Sequence, residues 1–584
     1  MKRRSRMAMT LCLALALAVT ACGGGTGSGG PSGSGNRPRG EKIVIYAGGS
    51  SEFSWIEGSE EAAVIENIEQ RYYDETGNSL DFEISYLGEN MKTKLASEIA
   101  GGSQVDIAIS HTRGGDGIDD YVSTGKNVDF YDLADLLYDA PNLTAHIDAY
   151  SYDNIESTPL DTLTNYNDQV VGIPSVVNPY KFGILVRKDL MEQAGYTDDP
   201  AKAQTAFDDS RNYILVDNLE DFAEMCKAMN TLTGGTYAIS GAPWDLEKVI
   251  TLGAFGNSGY FTNTLYNNKI VPGSVTGYYK EVLKLEYEWA RPYDMTGGIR
   301  RSIISPEASA IKLDRAENAF VAGNTGVFVQ DPTIQHLIKV ARMTKANIPT
   351  AEFTVLGPMR AYRDVNACPQ DADGNPLKGF MRNPEATFAA VILSTSRNAR
   401  KIIEFLDWVY SDEDIYNLCR YGIEGEHWIN NGDGTYSYPA GKEEYLTRAP
   451  YSGILTLVEN QHISNLTYAG YTEEELGWIA LAADESNYIV NNVADYMFPA
   501  TGSQAVPFSN ARNNMADNLV YNAWAGILDP VTGTDDKGVT NAAYTFDVMA
   551  AAVWEEGEGY INTLTNYYQI MKNDRDAKFA EAKG

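Results

Sequence analysis

The chain has 584 residues, with 46 Lys and Arg against 79 Asp and Glu, a formal charge of −33. So acidic a surface repels nucleic acid and anionic lipid, and excludes both as broad partners. Five Cys, five His and 43 % hydrophobic residues describe a large globular body without a disulfide framework, long enough for two domains.

The first 21 residues read as a secretory leader: Lys2, Arg3, Arg4 and Arg6, then a short apolar run, then small residues. The run is too short for a membrane span. It ends at Val19-Thr20-Ala21-Cys22, which resembles the lipobox of bacterial lipoproteins, a resemblance that implies acylation of Cys22 as the mature N-terminus. Removing the leader leaves 42 basic residues against 79 acidic ones, a charge of about −37. Residues 22–40 are a Gly/Ser tether with a typical span of about 23 Å. Its Gly25, Gly27 and Gly30 spell G-x-G-x-x-G, but no strand precedes them and no helix follows, so they form no dinucleotide turn.

From residue 42 the pattern changes. "KIVIYA" (42–47) predicts a buried strand, and a helix follows with Ser59 at its N-terminus, Val64, Ile65, Ile68 and Tyr72 at helical spacing and Gly77 as its stop. "DFEISYLG" alternates as a second strand. Met91, Leu95 and Ile99 mark a helix ended by Gly101-Gly102, and "VDIAIS" (105–110) is a third strand. Strand–helix–strand–helix–strand in this span predicts parallel strands covered by helices.

Further on, a turn at Asn167-Asp168 leads to a strand ending at Pro174, a second strand over 182–186 and a helix opening at Lys188-Asp189. Leu219, Phe222, Met225 and Met229 mark an amphipathic helix, residues 326–329 a strand, and "ATFAAVILSTS" a strong apolar strand. Asn398 starts a helix on Ile402, Phe405, Leu406 and Val409, and Ser411 caps the next, which stops at Gly422. Residues 545–571 read as one or two terminal helices.

Cys226, Cys368 and Cys419, like the five His, have no metal spacing and read as structural, so no metal or cofactor is expected. "DADGN" (371–375) mimics the start of a calcium loop, but Pro376 stands where Gly is needed and Arg382 where Glu is, so it reads as a turn. "NGDGT" at Asn431 is hairpin chemistry, and Trp428 reads as packing. With 37 Tyr, 18 Phe and 8 Trp, some aromatic faces remain for stacking on sugar rings.

The order of elements resembles the family 1 extracellular solute-binding proteins of ABC importers, the broad group that includes maltose-binding protein. The resemblance rests on the lipobox and tether, "VDIAI", "VVGIPSVVNPYKFGILVRKDLMEQAG", "NAFVAGNTGVFVQDP" and "ARKIIEFLDWVYSDEDIYNLCRYGIEGEHW". Residues 187–190, 421–427 and "WEEGEGYINTLTNYYQ" look like the larger oligosaccharide-type lipoproteins of that group. It implies an α/β, two-lobe, periplasmic-binding-protein-like (type II) fold with a ligand cleft between lobes. Crossovers would lie near 171–179 and 387–394. The first lobe would comprise 41–171 and 395–430, the second 172–394 (crossovers included) and 431–584. The implied protein is a monomer without enzymatic activity, tethered to the outer face of the membrane through Cys22. It would deliver a small-molecule ligand, an oligosaccharide, to permease subunits.

Ligands of such sheets bind beyond the carboxyl ends of strands. That rule selects Ser50, Ser51 and Trp55 after the first strand, Glu89 and Asn90 after the second, and His111 and Arg113 after the third. From the other lobe it selects Tyr180, Trp244 and Asp331. Trp244, read in a loop, suits stacking; Arg113 and Asp331 suit forked hydrogen bonds to hydroxyls. Two alternatives share the composition. A lipid-anchored glycoside hydrolase needs two carboxylates across a cleft, and 79 acids supply candidates. The same binding fold also accommodates a peptide or a polyanion.

Overall fold

The computed structural model describes residues 37–48, 55–88, 90–111, 130–148, 169–174, 182–204, 213–256, 277–294, 300–305, 313–329, 333–371, 373–382, 388–446, 448–457 and 466–490, with short pieces at 163, 263–266, 269–272, 463–464 and within 562–573. In chain order the elements that place the site begin with β1 (Glu41–Gly48), α1 (Glu61–Thr76), β2 (Leu80–Gly88), α2 (Met91–Ala100), β3 (Ile107–His111) and β4 (Ile173–Pro174). There follow β5 (Ile184–Arg187), α3 (Lys188–Gln193), α4 (Leu219–Met229), β6 (Tyr237–Ser240), α5 (Gly277–Ala290), β7 (Tyr293–Asp294), β8 (Arg300–Ile304), β9 (Val327–Phe328), α6 (Ile334–Asn347) and β10 (Phe353–Leu356). Last come β11 (Phe388–Ile392), α7 (Ala399–Val409), α8 (Glu413–Tyr421), β12 (Ile429–Asn430), β13 (Thr435–Ser437), β14 (Thr467–Tyr468) and α9 (Glu473–Ala483).

The first five elements follow the expected pattern. Val64, Ile68 and Tyr72 are the buried stripe of α1, and Gly77 ends it with φ +75° and its N–H on the Tyr73 carbonyl at 2.8 Å. β1 pairs in parallel with both β2 and β3. Its side chains alternate between two cores: Ile43, Ile45 and Ala47 on one face, Val44 and Tyr46 on the other. A sheet buried on both faces needs a continuous apolar run, which is what "KIVIYA" supplies.

Two sheets organise the body. The first has the order β2-β1-β3-β11-β4 and the second β7-β8-β6-β9-β5-β10. In the first, β11 runs antiparallel to β3 and to β4, so β1, β2, β3 and β4 all point one way. In the second, β6 runs parallel to β8 and β9, while β5 is antiparallel to β9 and to β10. The second sheet has its own core, built on Phe182, Phe222, Tyr279, Phe320 and Phe328 among others.

Several boundaries move. The strands expected at 105–110, 182–186 and 326–329 contract or shift to 107–111, 184–187 and 327–328, Phe182 forming an isolated bridge to Thr333 instead. Asp412 caps α8, its side chain accepting the Asp414 N–H at 2.9 Å; Ser411 instead donates its hydroxyl to the Trp408 carbonyl. Trp244 falls in a helical turn, Pro243–Leu246, running into a π-helical turn, Glu247–Thr251, and so is not in a loop. Past residue 430, Tyr451, Ile454, Leu455 and Leu457 still pack into the first core, so the chain stays with the first lobe longer than expected. Residues 371–375 do turn back on Asp371, and 429–437 do form a hairpin. The terminal helices are described only as scattered helical residues between 562 and 573.

Gly253 lies against the backbone of Gly379, and a Cβ there would overlap the Gly379 carbonyl oxygen. Gly253→Ala is expected to destabilise the protein by about 3 kcal/mol through overpacking. Gly477, inside α9 with open space beside it, is the contrast. Gly477→Ala is expected to stabilise by about 0.5–1 kcal/mol. Urea unfolding of both variants checks the pair.

Candidate functional site

Strand direction defines one edge of each sheet. Gly48, Gly88, His111 and Pro174 close their strands at one edge of the first sheet, where Phe388 opens the returning β11. Ser240, Ile304, Phe328 and Leu356 close theirs at one edge of the second, where Ile184 opens β5. The chain leaves the first edge at Pro174 and reaches Phe182, two residues before β5 opens at the second edge. Full extension of that step spans at most about 28 Å, which bounds the separation of those two points.

Among the expected site residues, His111 is the last residue of β3 and sits opposite Phe388 in the β3/β11 register. Their rings lie 4.2 Å apart at 31° and are half-buried. Phe388 was missed because its strand reads only as apolar; its place at the edge follows from antiparallel pairing with a strand 277 residues earlier. Asn90 is exposed before α2, its carbonyl accepting the Lys94 N–H at 3.0 Å. Trp55 is half-buried and packs against the first core. Trp244 follows β6 in its helical turn. Ser50, Ser51, Glu89, Arg113, Tyr180 and Asp331, like Cys22, lie outside the described residues.

Behind Trp244 the π-helical turn carries Glu247, buried like Glu286 on α5. Tyr279 donates its hydroxyl to Glu247 Oε1 at 2.9 Å, whereas Glu286 Oε1 has no hydrogen-bond partner among the described residues. Burial, then the nearby Glu247 carboxylate, push the Glu286 carboxyl well above the ordinary range, so it stays protonated. Both are sealed from solvent, unlike a hydrolytic pair, which must reach its substrate.

A second charged cluster stands at the start of α1. Glu60 Oε1 accepts Lys442 Nζ at 2.7 Å and the Tyr445 hydroxyl at 2.5 Å. The buried His427 takes the Ile423 N–H on Nδ1 at 3.0 Å, so Nε2 carries the proton facing Glu60 Oε2 at 3.2 Å. The Lys442 and Tyr445 bonds hold the Glu60 carboxyl down to about 2. Trp428 is buried and donates Nε1–H to the Gly422 carbonyl at 2.9 Å, as a packing residue does. Cys226, Cys368 and Cys419 are buried and unpaired, and burial pushes the Cys226 and Cys419 thiols well up, away from nucleophilic use. Among the described residues no His, Cys, Asp and Glu cluster could hold a metal, and no helix is long and apolar enough to cross a membrane.

No protein-family profile and no curated protein matches the sequence. Solved structures do. An N-glycan transport solute-binding protein from Streptococcus pneumoniae is 13 % identical with a TM-score of 0.57, over 92 % of this chain and 100 % of its own. A solute-binding protein from Bifidobacterium longum infantis that binds HMO and is associated with an ABC transporter is 11 % identical (TM-score 0.59), over 92 % and 99 %. The ABC-transporter substrate-binding protein FusA of S. pneumoniae, in complex with fructo-nystose, is 15 % identical (TM-score 0.56), over 92 % and 100 %. The chain has the two-lobe α/β fold of extracellular solute-binding proteins.

The two carboxyl clusters titrate in opposite senses. Glu60 is depressed below its unfolded value of 4.5, so its contribution is present above about pH 4.5 and lost as pH falls toward 2. Glu286 is raised, so its contribution is present below about pH 4.5 and lost as pH rises toward its folded value. In thermal melts across pH, Glu60→Gln is expected to flatten the acid limb. Glu286→Gln is expected to raise Tm at pH 8 and leave it nearly unchanged at pH 4.

Proposed function

We propose that this chain is the substrate-binding lipoprotein of an ABC importer, capturing an oligosaccharide between its lobes and delivering it to membrane permease subunits. The observation that carries this reading is the two-sheet α/β body, matched almost end to end by solute-binding proteins described as transporting N-glycan, binding HMO or holding fructo-nystose. A ligand that touches both edges only when the lobes approach biases a two-state opening equilibrium toward closure. The protein performs no chemistry; transport needs capture and release.

In this reading Ser50, Ser51, Glu89, Asn90, His111 and Arg113 serve from the first edge, and Tyr180, Trp244 and Asp331 from the second. The His111–Phe388 ring pair adds a flat floor beside the crossings. Hydroxyl-rich ligands suit this mixture of aromatic faces with amide, carboxylate and guanidinium groups. Cys22 carries the lipid, and the tether keeps the body at the outer face of the membrane within reach of its permease.

The test is a melting-temperature and calorimetric screen of the purified protein against a glycan panel. An oligosaccharide is expected to raise Tm and be recovered intact. Its cleavage would establish the hydrolase reading, and binding confined to peptides or polyanions would overturn the sugar reading. With the ligand in hand, Trp244→Ala is expected to weaken binding about tenfold or more, the loss of one stacking contact. Cys22→Ala is expected to abolish incorporation of a labelled fatty acid and release the protein from the membrane fraction.

A further inference from the structure

The buried stripe of α5 includes Tyr279, Val282, Leu283, Glu286 and Ala290. Four of these suit a core; a glutamate does not. Tyr279 and Glu286 stand seven residues apart, two helical turns, so they share one face. That face meets the π-helical turn Glu247–Thr251, which continues from the helical turn carrying Trp244. Tyr279 donates its hydroxyl to Glu247 Oε1 at 2.9 Å, and the Glu286 carboxyl lies close enough to feel the Glu247 charge. Two carboxyl groups are thus sealed in one place, and Oε1 of Glu286 has no hydrogen-bond partner among the described residues.

The surroundings offer Glu286 no cation among the described residues. On α5 itself, Lys280, Glu281, Lys284 and Glu288 are exposed. On the facing turn, Asp245 is buried and acidic, and Lys248 holds its Nζ 5.0 Å from the Phe182 ring. The segment Leu252–Phe255, packed on α5, carries no titratable group. β8, also packed on α5, carries Arg300, which is exposed, and Arg301, which is bound to Asn230 Oδ1 and the Thr233 carbonyl.

We propose that Glu286 is a positioning residue for ligand capture: one proton held by the Glu247–Glu286 pair keeps the π-helical turn packed beside Trp244, and its loss at alkaline pH loosens that turn and weakens binding. The inference rests on the reading of Trp244 as a ligand contact. With the proton present, a neutral acid stands beside a carboxylate. Without it, two like charges face each other where water screens them poorly. Burial and the Glu247 charge both raise the Glu286 carboxyl, which puts the loss on the alkaline side.

The turn is the part that yields. Its register depends on the bond from the Leu252 N–H to the Glu247 carbonyl, the wide spacing of a π turn, which is rarer and less regular than α. Just beyond, Gly253 lies against the Gly379 carbonyl, so the turn cannot retreat that way. Displacement passes instead toward Pro243–Leu246, and so to Trp244. A ligand that holds this turn in place favours proton uptake by the pair in return, because coupling between two sites is reciprocal.

The test uses the full chain, first without ligand. Infrared difference spectra across pH read the carbonyl stretch of a protonated carboxyl. Hydrogen exchange, with times scaled to the intrinsic amide rate at each pH, reads the turn through peptides spanning 243–256. From pH 6 to pH 9 the parent is expected to lose the acid band and about fivefold or more of the turn's protection, with α7 unchanged. Glu286→Gln, a neutral isostere, is expected to keep the turn's protection at both pH values. In the second arm, calorimetry follows the oligosaccharide that raises Tm in the glycan panel. The parent's affinity is expected to fall about fivefold or more over the same range, and that of Glu286→Gln to stay level. Should Glu286→Gln fail to fold, Glu247→Gln, which removes the same repulsion, takes its place. A parent turn equally protected at both pH values overturns the proposal. So does a variant that loosens as the parent does, or a turn that loosens with no change in affinity. A panel without any binder sinks the proposed function and the link to capture, while the exchange arm separately decides whether the turn follows the proton.

Discussion

The architecture depends on one non-local pairing: β11 inserted between β3 and β4, in the register His111↔Phe388 through Ile107↔Ile392. Without it the first sheet would be three parallel strands with an open edge, and neither crossing would have a fixed end. The pairing is reinforced at its far end by Asp106, which is buried. Asp106 Oδ2 accepts the Val44 N–H and Gln104 Nε2, and Oδ1 accepts the Ser396 hydroxyl and Asn398 Nδ2. One carboxylate thus joins β1, the entry to β3 and the start of α7, satisfying polar groups that would be costly to bury alone. At the opposite end of the same strand pair the His111 and Phe388 rings meet at 4.2 Å.

Charge is distributed accordingly. Exposed pairs such as Lys42–Glu83 and Arg400–Asp139 contribute little in water. The pairs that fix geometry are partly buried and multidentate: Arg187 on Asp189 beneath the start of α3, and Arg342 on Glu475. Glu286 is the exception, a buried carboxyl with no hydrogen-bond partner for Oε1 among the described residues, whose pKa burial pushes well above the ordinary range. Its neighbour is a π-helical turn, an irregularity common where a helix is shaped by function, and that turn continues directly from Trp244.

Much of the first lobe was legible in the sequence because its signals are local. The stripe of α1, the glycine that ends it and the apolar run of β1 each specify an element without reference to the rest of the chain. The edge rule then locates the strand ends from parallel topology alone. What escaped depends on distant partners. Nothing local in "ATFAAVILSTS" says that Phe388 will meet His111, and nothing near Tyr451 to Leu457 says that this stretch returns to the first core rather than the second. Trp244 shows a third kind of miss: Gly-Ala-Pro reads as a loop, yet Pro at the first position of a helical turn is well suited to start one. The cap of α8 was displaced by one residue because Ser411 and Asp412 are both good caps, and the carboxylate took the N–H while the hydroxyl turned back on α7.

The retained fold and the low identity to the solved structures have one cause. The two cores constrain only alternation, volume and strand order, which many sequences satisfy, whereas surface loops are free to vary.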